Sequence, residues 1–82
     1  MNAHTLNQLL WTIDPMRTGC NIEPGMEDEY WSQARDIAQA LAEGQDARSA
    51  VIAVFDYYFW EDCLSDRPAT LERIVSALQT AA

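Results

Sequence analysis

The sequence predicts an all-α fold, a small bundle of about four helices with a long loop between the first and the second. Two observations lead to this prediction. In four segments the apolar residues recur at the three- and four-residue spacing of a helix, and turn-forming residues separate these segments. None of the segments shows the alternation of apolar and polar residues that is typical of strands. A chain of 82 residues has room for one domain, residues 1–82.

The first predicted helix runs from Ala3 to Ile13, where four large aliphatic residues share one stripe. It should end at Asp14, because the ring of Pro15 disfavours the helical conformation of the residue before it. The segment from Asp14 to Gly25 is rich in glycine and proline and has no periodicity. We therefore expect a loop of about a dozen residues there.

The second predicted helix, Met26 to Glu43, is expected to be the longest. Three acidic residues fall in its first turn, namely Glu27, Asp28 and Glu29. Carboxylates in this position interact favourably with the positive end of the helix dipole. Gly44 can adopt the left-handed conformation that ends many helices, and Asp46 can cap the next helix. A tight turn should therefore join the second helix to the third.

The third predicted helix, Ala47 to Leu64, is the central one. Its core face consists of Val51, Val54, Phe55 and Tyr58, widened by Ile52 and Phe59. A second stripe consists of Ala53, Tyr57, Trp60 and Leu64. The fourth helix begins at Pro68, since proline fits the first helical position. Its apolar face consists of Leu71, Ile74, Val75 and Leu78.

The charge balance favours a basic protein as the partner, with solubility alone as the alternative explanation of the acidic surface. Thirteen acidic residues stand against five arginines and no lysine, for a formal net charge of -8. Such a surface repels nucleic-acid phosphates and anionic lipids, and it speeds encounter with a positively charged protein. The apolar stretches are far shorter than a bilayer requires, and the N-terminus does not resemble a signal peptide. We therefore expect a cytoplasmic protein that binds neither nucleic acid nor membranes.

Residues suited to catalysis or metal binding are few and match no known motif. His4 lies near the start of the chain, outside any rigid site. Cys20 and Cys63 fall in separate elements without the spacing of a zinc site, and the acids before Cys63 should raise the pKa of its thiol. The adjacent acids at 27–29 point in different directions and cannot converge on one ion. The sequence therefore predicts a non-enzymatic protein without a cofactor or metal. It leaves the pairing of the two cysteines open.

The most informative stretch lies near the end of the third predicted helix, where Tyr57 and Trp60 fall outside the core face. Acidic residues border these two aromatics, which predicts a partner-binding surface of Asp56, Tyr57, Trp60, Glu61 and Asp62. We expect a second acidic edge of this surface at Glu27, Asp28 and Glu29. The alternative is that the aromatic stripe packs under another helix. Trp11 lies roughly opposite the apolar stripe of the first helix, so it is either exposed or covered by the long loop, and Trp31 flanks the stripe of the second helix.

Two resemblances bear on function. The first helix ends in Asp14-Pro15, the second opens with Glu29-Tyr30, and the third carries a further pattern: Ile52, Phe55, Tyr58, Phe59, Glu61 and Leu64. These features resemble an uncharacterised family of short helical bacterial domains, which implies a helical fold and no particular activity. In size, acidity and lack of catalytic motifs the chain also resembles immunity proteins of the contact-dependent growth inhibition type. That resemblance implies a protein that caps a basic nuclease toxin.

Three further interpretations stay open at this point. The second aromatic stripe could be buried against a copy of the chain, which would make the protein a homodimer or a larger homo-oligomeric scaffold. A mimic of nucleic acid would need a denser array of acids than this chain has. An enzyme would require a metal held by carboxylates, and it ranks last.

Overall fold

Four helices packed in a ring form the fold of the part of the chain that the structure describes. The computed structural model describes residues 2–17, 19, 25 and 27–81. The helices are α1 (Ala3–Ile13), α2 (Trp31–Ala42), α3 (Ala47–Tyr58) and α4 (Pro68–Ala81). Each helix packs against the next in the chain, and α4 closes the ring against α1. The predicted all-α bundle is confirmed. Among the described helices, none has the length and apolar character that a bilayer crossing demands.

The core lies along the axis of this ring and draws on every helix. The buried apolar side chains are Leu6 and Leu10 of α1, Ala34 and Ile37 of α2, Val51 and Phe55 of α3, and Leu71, Ile74, Val75 and Leu78 of α4. Tyr30, Cys63 and Leu64 join them from the connecting segments. Burial of this apolar surface is the main force holding four short helices together, since helices of this length are marginal alone.

The end of α1 is tied to the start of α2 by a buried hydrogen-bond network. Asp14 takes the left-handed conformation with a φ of 51°, and its N–H donates to the carbonyl of Leu10 at 2.8 Å. Its Oδ1 accepts a hydrogen bond of 2.8 Å from the hydroxyl of Tyr30, which is fully buried. The same hydroxyl accepts from the N–H of Met16 at 2.9 Å. We call this arrangement the Asp14–Tyr30 link.

The turn between α2 and α3 has the predicted chemistry. Gly44 has a φ of 95°, and its N–H donates to the carbonyl of Leu41 at 3.1 Å. The N–H of Gln45 reaches back to the carbonyl of Ala40 at 3.1 Å, which completes a Schellman motif. Asp46 then caps α3 by accepting a hydrogen bond of 3.1 Å from the N–H of Ser49. Gly44 and Asp46 are thus both confirmed in their predicted roles.

The predicted start of the second helix is wrong. Residues 27–30 form turns, and α2 begins only at Trp31, whose N–H donates to the carbonyl of Asp28 at 3.1 Å. The acids Glu27, Asp28 and Glu29 therefore precede the helix instead of occupying its first turn. The reason is Tyr30, which is held in a non-helical conformation by its contacts with Asp14 and the core. At 12 residues α2 is also shorter than α4, which has 14. Met26 lies outside the described residues.

The predicted end of the third helix, at Leu64, is also wrong. The chain leaves the helical conformation at Phe59, with φ and ψ of -114° and -91°, and residues 61–66 form successive turns. Trp60 and Leu64 therefore do not continue the stripe begun by Tyr57. Leu64 is fully buried in the core, whereas Tyr57 and Trp60 are exposed.

We predict that Tyr30→Phe destabilises the fold by about 1–3 kcal/mol, because it removes the hydroxyl that bonds both Asp14 and the Met16 N–H while leaving the ring in place. Urea unfolding followed by circular dichroism measures the change. Tyr57→Phe removes the same atom from an exposed ring and should change stability by less than about 0.5 kcal/mol. Equal effects of the two substitutions would contradict the structural role of the Asp14–Tyr30 link.

We predict that Asp46→Ala lowers the urea midpoint at neutral pH and that this deficit disappears in acid. The hydrogen bonds from Ser49 lower the pKa of Asp46. Stabilisation by this carboxylate is therefore complete above the pKa of an unfolded aspartate and is lost as the pH falls through the lower folded value. Asp46→Asn keeps an uncharged cap and should lose less at neutral pH. A deficit of Asp46→Ala that stays constant below about pH 4 would contradict this account.

Candidate protein-binding surfaces

The residues predicted near the end of the third helix form an exposed surface, which we call the aromatic-acidic patch: Asp56, Tyr57, Trp60, Glu61 and Asp62. The side chain of Tyr57 is 82% exposed and that of Trp60 is 53% exposed. Glu61 and Asp62 are exposed, and Asp56 is half-buried. No helix of the described chain covers the two aromatics. The alternative that they pack under another helix of the same chain is therefore wrong.

Two buried neighbours hold the loop of the patch in place. Cys63 and Leu64 enter the core directly after the exposed residues. The N–H of Cys63 donates to the carbonyl of Trp60 at 3.2 Å, and the N–H of Asp62 donates to Oδ1 of Asp56 at 3.1 Å. Asp62 takes the left-handed conformation with a φ of 62°, which aspartate tolerates better than most residues. The side chain of Asp56 thus anchors the turn beyond the helix.

A chain of aromatic contacts connects the patch to the core. The ring centroids of Tyr30 and Phe55 are 6.3 Å apart, those of Phe55 and Phe59 are 5.4 Å apart, and those of Phe59 and Trp60 are 6.4 Å apart. These distances lie in the range of favourable aromatic pairs. Trp60 is therefore exposed on one side and supported on the other. A side chain held in this way loses little conformational entropy when a partner covers it.

Tyr57 has its own support from α2. Its ring meets that of Tyr58 edge-on at 5.1 Å between centroids, and the hydroxyl of Tyr58 donates to Oδ2 of Asp36 at 2.6 Å. This hydrogen bond raises the pKa of Tyr58. The aromatic-acidic patch thus presents two aromatic anchors, each backed by a neighbouring ring.

Three acidic residues give the aromatic-acidic patch a negative charge, and the thiol of the next residue, Cys63, is buried. Arg67, the next arginine along the chain, donates to the carbonyl of Pro15 at 3.1 Å. Burial raises the pKa of the Cys63 thiol, and the nearby Asp56 carboxylate adds to this effect. Both work against formation of a thiolate. The sequence indicated the direction of this shift but attributed it to Glu61 and Asp62, whereas burial is the larger cause.

The acids predicted as a second edge lie elsewhere, against α1. Glu27, Asp28 and Glu29 are all exposed. A cleft of about 530 Å³ opens between α1 and the start of α2, and it is lined by residues that include His4, Asn7, Trp11, Glu27, Asp28 and Trp31. We call it the tryptophan cleft. It lies between α1 and the start of α2, whereas the aromatic-acidic patch lies at the end of α3, so we describe the predicted binding residues as two surfaces.

Sequence reasoning missed the tryptophan cleft. Asn7 is only 5% exposed, and its Nδ2 donates to the carbonyl of Glu27 at 3.0 Å, which brings the acids against α1. The available signal was the spacing of His4, Asn7 and Trp11, which puts them on a second face of α1. That face becomes one wall of a cleft only because Trp31 lies opposite it, and the position of Trp31 depends on the Asp14–Tyr30 link.

The described residues contain no group of three His, Cys, Asp or Glu side chains placed to hold a metal ion. His4 is exposed on α1, with its Nε2 3.4 Å from Nε2 of Gln8. Cys63 is a free thiol. Cys20 lies outside the described residues.

Comparison with protein-family models, with curated proteins and with solved structures gives no match for the chain. The two resemblances noted from the sequence therefore stay predictions. Functional inference rests on the chemistry of the two surfaces.

Proposed function

We propose that this chain is a non-enzymatic, cytoplasmic protein-binding protein, an immunity protein that neutralises a basic bacterial toxin of the nuclease type by direct contact. The observation that carries the proposal is the aromatic-acidic patch, in which two exposed aromatic anchors stand among three acids. Tyrosine and tryptophan contribute a disproportionate share of the binding energy at protein interfaces. Acids around them select a positively charged partner.

The proposed mechanism is occlusion by charge and shape. A nuclease holds phosphates in a positively charged groove, and carboxylates from Asp56, Glu61 and Asp62 can occupy such positions. Trp60 and Tyr57 then exclude water around the charged pairs, which strengthens them. The formal net charge of -8 adds long-range attraction, so that the toxin is bound rapidly after it enters the cell.

The test is recovery of the partner followed by neutralisation. Tagged protein is incubated in lysate of its native cell, washed at low and then at moderate salt, and the retained proteins are identified by mass spectrometry. We expect a basic polypeptide whose expression kills a host cell and whose toxicity disappears when this chain is coexpressed. Toxicity that continues although the two proteins bind would contradict the immunity function.

We predict that Trp60→Ala weakens binding to the captured partner by about 2 kcal/mol or more, roughly 30-fold, because it removes a supported aromatic anchor. Calorimetric titration measures the loss, and circular dichroism checks that the helices remain. Gln79→Ala, an exposed substitution on α4, is the matched control and should bind normally. Collapse of the helical signal in Trp60→Ala would instead assign Trp60 to stability.

Self-association is the second candidate function, since the same exposed aromatics could pair with those of another copy. Sedimentation equilibrium at micromolar concentration separates the two. A dimer that Trp60→Ala converts to a monomer would favour a homo-oligomeric module. A monomeric wild-type protein would exclude it, because an obligate interface persists at that concentration.

A further inference from the structure

We propose that the tryptophan cleft is a binding site for a guanidinium group, presented by an arginine side chain of a partner protein. The site is separate from the aromatic-acidic patch, and its argument does not depend on the identity of any toxin. Four features of the cleft carry the proposal: its aromatic walls, its carboxylates, a buried acceptor and its size.

The aromatic walls come from two different elements. Trp11 lies on α1 and is half-buried, and Trp31 is the first residue of α2 and is 40% exposed. Tryptophan is the best aromatic partner for a cation, and arginine stacks on it more often than lysine does. A cleft with one indole from each side therefore suits a flat cation.

Two acidic residues at the cleft supply the complementary charge. Because they lie in turns before α2, the divergence expected of neighbouring residues on a helix does not apply to them. Glu27 and Asp28 both line the cleft. Their backbone is held from both sides, because Asn7 donates to the carbonyl of Glu27 and the N–H of Trp31 donates to the carbonyl of Asp28. The acids are thus positioned at the cleft and not on a loose loop. Pairs between guanidinium and carboxylate are among the stronger charge-assisted hydrogen bonds.

Asn7 provides the independent sign that a ligand donor is missing. Its amide is turned so that Nδ2 bonds Glu27, and this leaves Oδ1 buried without a hydrogen-bond partner. A buried acceptor of this kind costs stability unless a donor reaches it. Asn7 is among the residues that line the tryptophan cleft, but its Oδ1 has almost no accessible surface, so a ligand N–H reaches this oxygen only when the wall of the cleft shifts.

Guanidinium fits these features better than ammonium does. It offers five N–H donors in a plane, enough to serve a carboxylate and the Asn7 oxygen together, and it is less strongly hydrated. The cleft volume of about 530 Å³ lies within the range of ligand sites, roughly 300–1,000 Å³. The aliphatic stem of an arginine side chain can therefore lie against the indoles while its head meets the acids.

The test follows the three indole N–H signals of ¹⁵N-labelled protein by NMR during titration with a capped tripeptide that has arginine between two glycines. We expect saturable shifts of the Trp11 and Trp31 signals that are larger, and reached at lower peptide concentration, than any shift of Trp60, which lies on an open surface and not in a cleft. The matching lysine tripeptide should bind at least roughly fivefold more weakly than the arginine tripeptide. Shifts of equal size for lysine, or a Trp60 signal that moves as far as the other two, would overturn the proposal.

Substitutions test whether the tripeptide binds in the tryptophan cleft, and not merely to the overall negative charge or to the aromatic-acidic patch. Trp31→Ala and Asp28→Asn should each reduce affinity for the arginine tripeptide by at least about fivefold. If Trp31→Ala loses its helical signal, Asp28→Asn, an exposed isosteric change, decides the matter. Trp60→Ala should leave tripeptide binding in the tryptophan cleft unchanged. The cleft is therefore tested independently of whether the aromatic-acidic patch binds a toxin. Unchanged affinity in Asp28→Asn would overturn the proposal.

Free arginine distinguishes a docking site from a small-molecule site. It carries a strongly hydrated α-ammonium and α-carboxylate where the tripeptide has neutral amides, and bringing these charges against the cleft costs desolvation, so we expect it to bind more weakly than the capped tripeptide. Tighter binding of free arginine than of the tripeptide would overturn the assignment to a protein-borne side chain.

Discussion

The structure depends on the hydrogen bond between the buried hydroxyl of Tyr30 and the carboxylate of Asp14. It ties the end of α1 to the residues before α2, delays the start of α2 to Trp31 and holds an aromatic ring in the core. The acids before Tyr30 are thereby brought beside α1, where one wall of the tryptophan cleft stands. On its other side the same ring stacks on Phe55, the first member of the aromatic chain that supports Trp60. Both candidate surfaces therefore depend on one buried polar contact.

The helix boundaries predicted correctly are those that depend on local chemistry. Pro15 and Pro68 define the end of α1 and the start of α4, and Gly44 and Asp46 define the turn between α2 and α3. The two boundaries predicted wrongly involve side-chain hydrogen bonds that helical periodicity does not reveal. Tyr30 leaves the helical pattern to reach a carboxylate 16 positions earlier. Beyond the end of α3, Asp56 holds the turn at Asp62 through a hydrogen bond between residues only six positions apart.

The candidate surfaces divide in the same way. Tyr57 and Trp60 could be assigned to a second face from helical spacing, although burial under another helix was an equal alternative until the packing was known. The tryptophan cleft could not be predicted, since it requires the register of α1 against the residues before α2. Asn7 shows why. Its helical spacing places it beside the apolar stripe of α1. Only the packing of the residues before α2 buries it against the carbonyl of Glu27.

The distribution of tryptophan has a spectroscopic consequence. Two of the three indoles stand in the cleft and the third stands in the patch, while Tyr30 and Phe55 are the aromatics of the core. The fluorescence of the three indoles therefore reports mainly on the two candidate surfaces. Trp11 also packs against the core, so its emission responds to loosening of the core as well as to a ligand in the cleft. Each surface can be followed alone by replacing the tryptophans of the other.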